Sequence, residues 1–359
     1  MKSYDVVIVG GGVIGSSIAY HLAQQNLRIA LIDKGEIGRE ASAAAAGLLG
    51  VQAEWTSDDP FFEIAQRSRK LFPQLAETIR HMTGIDIGYE QKGIYRVAFN
   101  EAEMANIITI KEWQSAYGER FDMLNTRQLL QREKQLNTSL IGGVFCQDDG
   151  HVLAPKLTQG LALAASYLQV EIIEYCEVLS ILKKERQVTA IHTTLGNIET
   201  SHVVIASGAF SNQLLRDFKI DVFPVKGEVI QLYSNEPMIT APIFNERFYI
   251  APKRGGHYIL GSTMLENDYS KDVTAGGIQQ ILQHAFALIP RLEKATFKNH
   301  WSGLRPHCTN NQPFIDEHPS IKGLYAAIGH YRNGILLSAV TGELIAHKIK
   351  EARENEVNG

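Results

Sequence analysis

Two kinds of hydrophobic pattern alternate along the chain. Residues 4–9 (YDVVIV) and 27–33 (LRIALID) are apolar runs without alternation, the mark of strands buried on both faces of a parallel sheet. Between them, GGGVIG opens a segment in which Val13, Ile14, Ile18 and Leu22 recur at helical spacing, and Asn26 closes it. The buried pattern returns at 170–173, at 176–182, in HVVIASGAFS (202–211) and in LYAAIGH (324–330). Helices are predicted over 60–82, over 156–168 behind Pro155, over 275–288 and over 334–350. Residues 223–233, 247–251 and 257–263 instead alternate with period two, as in an antiparallel sheet. Residues 85–99 predict two more strands, and polar helical segments follow to about 135. The buried elements fall in blocks 1–84, 140–218 and 303–359, the alternating ones in 85–139 and 219–302. This layout predicts an α/β protein: a Rossmann-like domain assembled from three pieces, and an inserted α+β domain built on an antiparallel sheet.

Composition narrows the class without changing that picture. The 359 residues are 45% hydrophobic and 21% charged with a net charge of -4, an ordinary globular balance with no field for nucleic acid or an anionic membrane. Cys146, Cys176 and Cys308 are odd in number and form no CxxC pair, so neither a disulfide framework nor a metal site is expected. Asp5 interrupts the apolar start, and no uncharged apolar run approaches the ~18 residues of a membrane helix, so a cytoplasmic protein is expected.

The first block carries chemistry. Gly10, Gly12 and Gly15 fit G-x-G-x-x-G between strand and helix. The spacing predicts a tight turn at Gly10, close backbone approach to a pyrophosphate at Gly12, and close helix–strand packing at Gly15. Asp33, at the tip of the second strand, is placed to accept from ribose hydroxyls and would repel a 2′-phosphate, which disfavours NADP. This unit does not separate NAD from FAD. ASAAAAG (41–47) and GHYRNGILL (329–337) favour FAD, although a plain helix and an ordinary strand-to-helix turn would explain each alone. A helix N-terminus beside a flavin ring would stabilise negative charge there by about 0.3–2 kcal/mol.

Taken together, GGGVIGSSIAYHLA, ASAAAAGLL, DDGHVLAP, IASGAFS, PVKGE, GLRP and GHYRNGILLSAVTGELIA resemble the D-amino-acid-oxidase-like flavoprotein family, and within it the bacterial members that oxidise glycine. The resemblance runs from about residue 4 to 348. It implies non-covalent FAD contacted by Val13, Ile14, Asp33, Lys34, Ala41, Ser42, Ala46, Gly47, Leu48 and Val178, and by the loop His330, Tyr331, Arg332, Asn333, Gly334, Ile335 and Leu336. The ribose-binding acid is Asp33 where Glu is commoner, a shorter reach. The resemblance also implies that Arg305 and Arg332 fix a substrate carboxylate, with Tyr249 hydrogen-bonding it and Met264 near the small pocket. A guanidinium fork suits that task. The expected reaction oxidises glycine, sarcosine or a small D-amino acid to the imino acid with O2 as acceptor. No side chain stands out as a general acid or base. A homotetramer and service to thiazole formation in thiamine biosynthesis follow by analogy. Cys308 is offset from the position at which some relatives attach flavin covalently. A quinone-linked D-amino-acid dehydrogenase, or the flavin subunit of a hetero-complex, remains the alternative.

Overall fold

Val6, Val7 and Ile8 have no solvent exposure because the strand Lys2–Val9 runs up the interior of an eight-stranded sheet with a parallel neighbour on each side. The structure is a computed structural model and describes residues 2–245 and 248–358. From one edge the main order is Phe314–Glu317, Leu324–Ile328, Gly196–Ile205, Lys2–Val9, Ile29–Ile32, Glu171–Ile173. All neighbours are parallel except the outermost pair, Phe314–Glu317 with Leu324–Ile328. Val9 lies level with both Ile205 and Ile32, so chain order reverses about the first strand. Ligands of open α/β sheets bind in the crevice at such a reversal. Helices Val13–Leu22, Phe61–Thr83, Ala154–Tyr167 and Gly334–Asn358 pack together over one face around Ile18, Phe62, Phe72, Leu161 and Val340.

The second sheet has nine strands, ordered Leu265–Glu266, Val222–Tyr233, His257–Gly261, Phe248–Lys253, Ile243–Asn245, Ile94–Ala98, Gly142–Cys146, Phe121–Asn125, with Thr296–Cys308 also paired to Val222–Tyr233. It is antiparallel apart from one parallel pair, Ile243 with Tyr95. Ile281, Ala285 and Leu288 of helix Ala275–Leu288 pack on it.

Several elements differ from expectation. Of the two strands expected in 85–99, only Ile94–Ala98 forms. Gly88 and Gly93 take positive φ, and the Asp86 carboxylate accepts from the Gly88 amide, which turns the segment before it can pair. Strands Phe121–Asn125, Gln187–Thr193 and Thr296–Cys308 were not expected. The last has its first five residues exposed, and Gly303 and Pro306 interrupt it, so it shows no alternation. Gly142–Cys146, placed by sequence in the α/β blocks, pairs into the nine-stranded sheet. The strand expected from 247 begins, within the described residues, at Phe248; residue 247 itself lies outside them. Among the described residues no helix is long and apolar enough to cross a membrane, and no cluster of His, Cys, Asp and Glu could hold a metal. The three cysteines are free thiols and buried.

Candidate active site

The glycine loop is shaped by backbone contacts. Gly10 has φ 107°, and a Cβ there would fall 2.5 Å from the Ala206 carbonyl oxygen. A Cβ at Gly15 would sit 1.9 Å from the Gly10 oxygen, so the helix approaches the strand only because Gly15 lacks one. Gly12 is different. A Cβ there would meet only the Ser42 hydroxyl, at 3.2 Å, because its free side faces a cavity.

That cavity holds about 1950 Å³ of empty space, counting its open mouth, and lies between the two sheets. Gly12, Gly47 and Gly334, from three remote segments, all line it. So do Gly10, Val13, Ile14, Asp33, Lys34, Ala41, Ser42, Ala46, Leu48, Val178, His330, Tyr331, Arg332 and Ile335. Gly15, Asn333 and Leu336 do not. Gly15 packs against Gly10, the Asn333 amide donates to the His330 carbonyl, and Leu336 is 1% exposed in the helical core.

The details suit a dinucleotide. Asp33 accepts from the amides of Gly11 at 2.7 Å and Gly35 at 2.9 Å, which fixes its carboxylate at the loop. Ser42 Oγ accepts from the Val13 amide at 2.9 Å and so ties the Ala41–Ala44 turn to the start of the glycine-loop helix. Lys34 Nζ lies 3.4 Å from the centre of the Phe210 ring, at the cavity wall. An open backbone at a helix N-terminus fits a pyrophosphate, and the Asp33 carboxylate fits a ribose diol, so these residues fit FAD.

At the other end of the same cavity stand Arg305, Arg332, Tyr249 and Met264. Arg305 lies across from Val225, in the long pairing of Val222–Tyr233 with Thr296–Cys308. Its guanidinium occupies the space above Gly227, where a Cβ would come within 2.1 Å of Nη2. Nη1 donates weakly, at 3.4 Å, to the Val225 and Thr263 carbonyls, and Nη2 donates to the Ser262 hydroxyl. None of these partners is charged. Burial and then the neighbouring Arg332 charge lower its pKa, so the site calls for an anion. Burial raises the Tyr249 hydroxyl, which stays a neutral donor. Met264 is half exposed at the mouth, 3.9 Å from the Tyr331 hydroxyl.

Sequence reading missed Glu54. It ends the helix Val51–Glu54, is nearly buried, and lies 3.5 Å from Arg332 Nε. Burial raises its pKa, and the charges of Arg332 and then Arg305 oppose the rise. No motif marks it, yet it is the sole ionisable residue between Ala41 and Trp55. His330, expected among the FAD contacts, is buried with Nε2 3.1 Å from the Thr341 hydroxyl, and burial lowers its pKa to about 3.

A Rossmann-like sheet, a glycine loop and a cavity shared with an antiparallel sheet define a flavin-dependent oxidoreductase. The chain belongs to the DAO family of FAD-dependent oxidoreductases, whose model matches residues 5–348, and FAD is its cofactor. It is 38% identical to glycine oxidase of Geobacillus kaustophilus over 97% of this chain and 93% of that protein. It is 31% identical to glycine oxidase of Bacillus subtilis over 99% of this chain and 95% of that one. A solved glycine oxidase from Bacillus cereus ATCC 14579 superposes with a TM-score of 0.93 at 45% identity, covering 99% of this chain and 97% of that one. The bifunctional protein ThiO/ThiG of Synechocystis is 33% identical over 97% of this chain, which spans 52% of that protein.

Proposed function

We propose that this protein oxidises glycine, and more slowly sarcosine or small D-amino acids, to the imino acid. Water hydrolyses the glycine product to glyoxylate and ammonia, and the others to the corresponding 2-oxo acid and ammonia or amine, and O2 is reduced to H2O2. The observation that carries the reading is Arg305: a part-buried guanidinium with no charged partner in hydrogen-bond contact among the described residues, facing the same cavity as the glycine loop. The similarity to glycine oxidases over nearly the whole chain supports the choice of substrate. When bound, FAD supplies the two-electron acceptor and the route to O2.

The chain supplies orientation. Arg305 takes the substrate carboxylate through its fork, and the Tyr249 hydroxyl donates to the same group. Gly227 and Gly261 keep the floor low, since a Cβ at Gly261 would fall 2.8 Å from the Tyr249 oxygen. The site lies between the two sheets, and partial shielding from bulk water strengthens each polar contact. Two arginines against the single acid Glu54 leave this end of the cavity short of negative charge, which a substrate carboxylate supplies.

The α/β sheet with its helices is read as the FAD-binding domain and the nine-stranded sheet as the substrate domain. FAD is held non-covalently: Cys308 is buried against Gly329 and does not line the cavity. The protein is further read as a cytoplasmic homotetramer. The match to bifunctional ThiO/ThiG supports a role in thiazole formation for thiamine.

Arg305→Ala tests the site. Removing the partner of a buried carboxylate costs about 3–5 kcal/mol. The KM for glycine is therefore expected to rise by at least about a hundredfold while FAD stays bound. A change under about threefold would remove Arg305 from the site.

A further inference from the structure

Among the described residues lining the cavity, four are acidic: Asp33, Glu40, Glu54 and Glu177. Asp33 is engaged by the glycine loop, and Glu40 is ion-paired with Lys271. Glu177 follows Cys176 and precedes Val178, beside the strand that carries the expected FAD contact. Glu54 lies 3.5 Å from Arg332 and also feels the charge of Arg305.

Glu54 is presented by a segment anchored more heavily than a four-residue helix needs for its own stability. The Asp149 carboxylate accepts from the Gln52 amide at 3.0 Å and the Ala53 amide at 2.9 Å. Asp149 is in turn paired with Arg69 at 2.8 Å, and Arg69 with Glu119 at 2.7 Å, all three buried. Arg96 donates to the Ala53 carbonyl, and Gln114 Nε2 donates to the carbonyls of Gln52 and Trp55. Buried charges are costly unless they are fully hydrogen-bonded. This network holds the backbone on both sides of Glu54 fixed, so its carboxylate enters the cavity from a rigid wall. It also gives the Asp-Asp-Gly segment at 148–150 a physical purpose.

A small amino acid offers two groups. Its carboxylate is drawn to Arg305. Its amine bears N–H donors and, as a zwitterion, a positive charge that two nearby guanidinium groups would repel. Resting on the amino-acid reading above, we propose that Glu54 accepts from the substrate amine and thereby selects amino acids over small carboxylic acids that lack one. The Arg332 contact is loose, with Nε 3.5 Å from Oε2, which leaves acceptor positions on Glu54 for a second donor. Arg332 then orients Glu54, and the Phe244 ring lies below Arg332, with its Cζ 5.3 Å from the ring centre.

The test compares glycine with glycolate, which keeps the carboxylate and replaces the amine by an uncharged hydroxyl. Glycine binding is read from the concentration dependence of anaerobic flavin bleaching, and glycolate binding from its shift of the oxidised flavin band. In Glu54→Gln holoenzyme, glycine binding is expected to weaken by about thirtyfold, the loss of one charge-assisted hydrogen bond, while glycolate changes less than about threefold. Glu54→Asp, with the charge kept on a shorter arm, is expected to recover part of the difference. Equal weakening of both ligands would assign Glu54 a structural role only, and no weakening of glycine would remove it from the site. Either result overturns the proposal alone. Failure of glycine to bleach the unsubstituted protein would overturn the amino-acid reading and this proposal with it.

Discussion

Arg305 owes its place to a missing side chain. Any residue but glycine at 227 would push into the guanidinium, so a glycine in one strand and an arginine in its partner act as one unit. The sequence offers both, in PVKGE and GLRP, but not their pairing, because a contact between residues 227 and 305 is a matter of register. Glu54 shows the opposite case: it is visible as a lone acid in an apolar stretch, yet its meaning depends on Arg332, far along the chain. His330 links the site to pH. Burial lowers its pKa from 6.5 to about 3, so the unfolded chain binds a proton that the folded protein refuses. The stabilisation is complete above about pH 6.5 and is lost as pH falls toward 3, by roughly 1.4 kcal/mol per unit. His151, also lowered to about 3 by burial, adds the same sign. The melting temperature is thus expected to drop between about pH 6.5 and 5, and less steeply in His330→Gln. Parallel slopes would show that His330 carries no such stabilisation.

At the scale of elements, the glycine loop was readable because its three glycines answer to three local demands: a turn, an open approach and a close helix. The demands are separable by substitution. Gly15→Ala places a methyl 1.9 Å from the Gly10 oxygen, so it is expected to cost about 1–3 kcal/mol of stability as well as FAD retention. Gly12→Ala meets only Ser42, so apoprotein stability should hold while FAD is lost. Thermal melts of the apoproteins, beside the visible-to-ultraviolet absorbance ratio of each purified protein, check both. Equal melting temperatures for the two variants would contradict the assignment. Strands with a clean pattern were readable for the same local reason. Thr296–Cys308 was not, although it carries Arg305, since its first half is exposed and its interior holds Gly303 and Pro306. Gly142–Cys146 was assigned to the wrong layer because a short apolar run does not announce which sheet it joins.

At the scale of the molecule, the cavity is made by neither sheet alone. Its walls come from the first strand's loop, the turn after Glu40, the loop before the last helix, and the strands that carry Tyr249 and Arg305. FAD held between these walls should contribute to stability by mass action, about 2.7 kcal/mol at a hundredfold excess over Kd. The buried, off-cavity Cys308 leads to a simple outcome: acid precipitation should release all of the yellow colour into solution. Colour kept in the pellet would mean a covalent link.

The central claim is that one flavin and one amino-acid site share this cavity. Anaerobic titration of the purified yellow protein with glycine tests it most directly. The oxidised flavin band should bleach with saturation, and sarcosine and D-alanine should bleach it more weakly. A band that stays unchanged with all three, in protein that retains its FAD, would contradict the account.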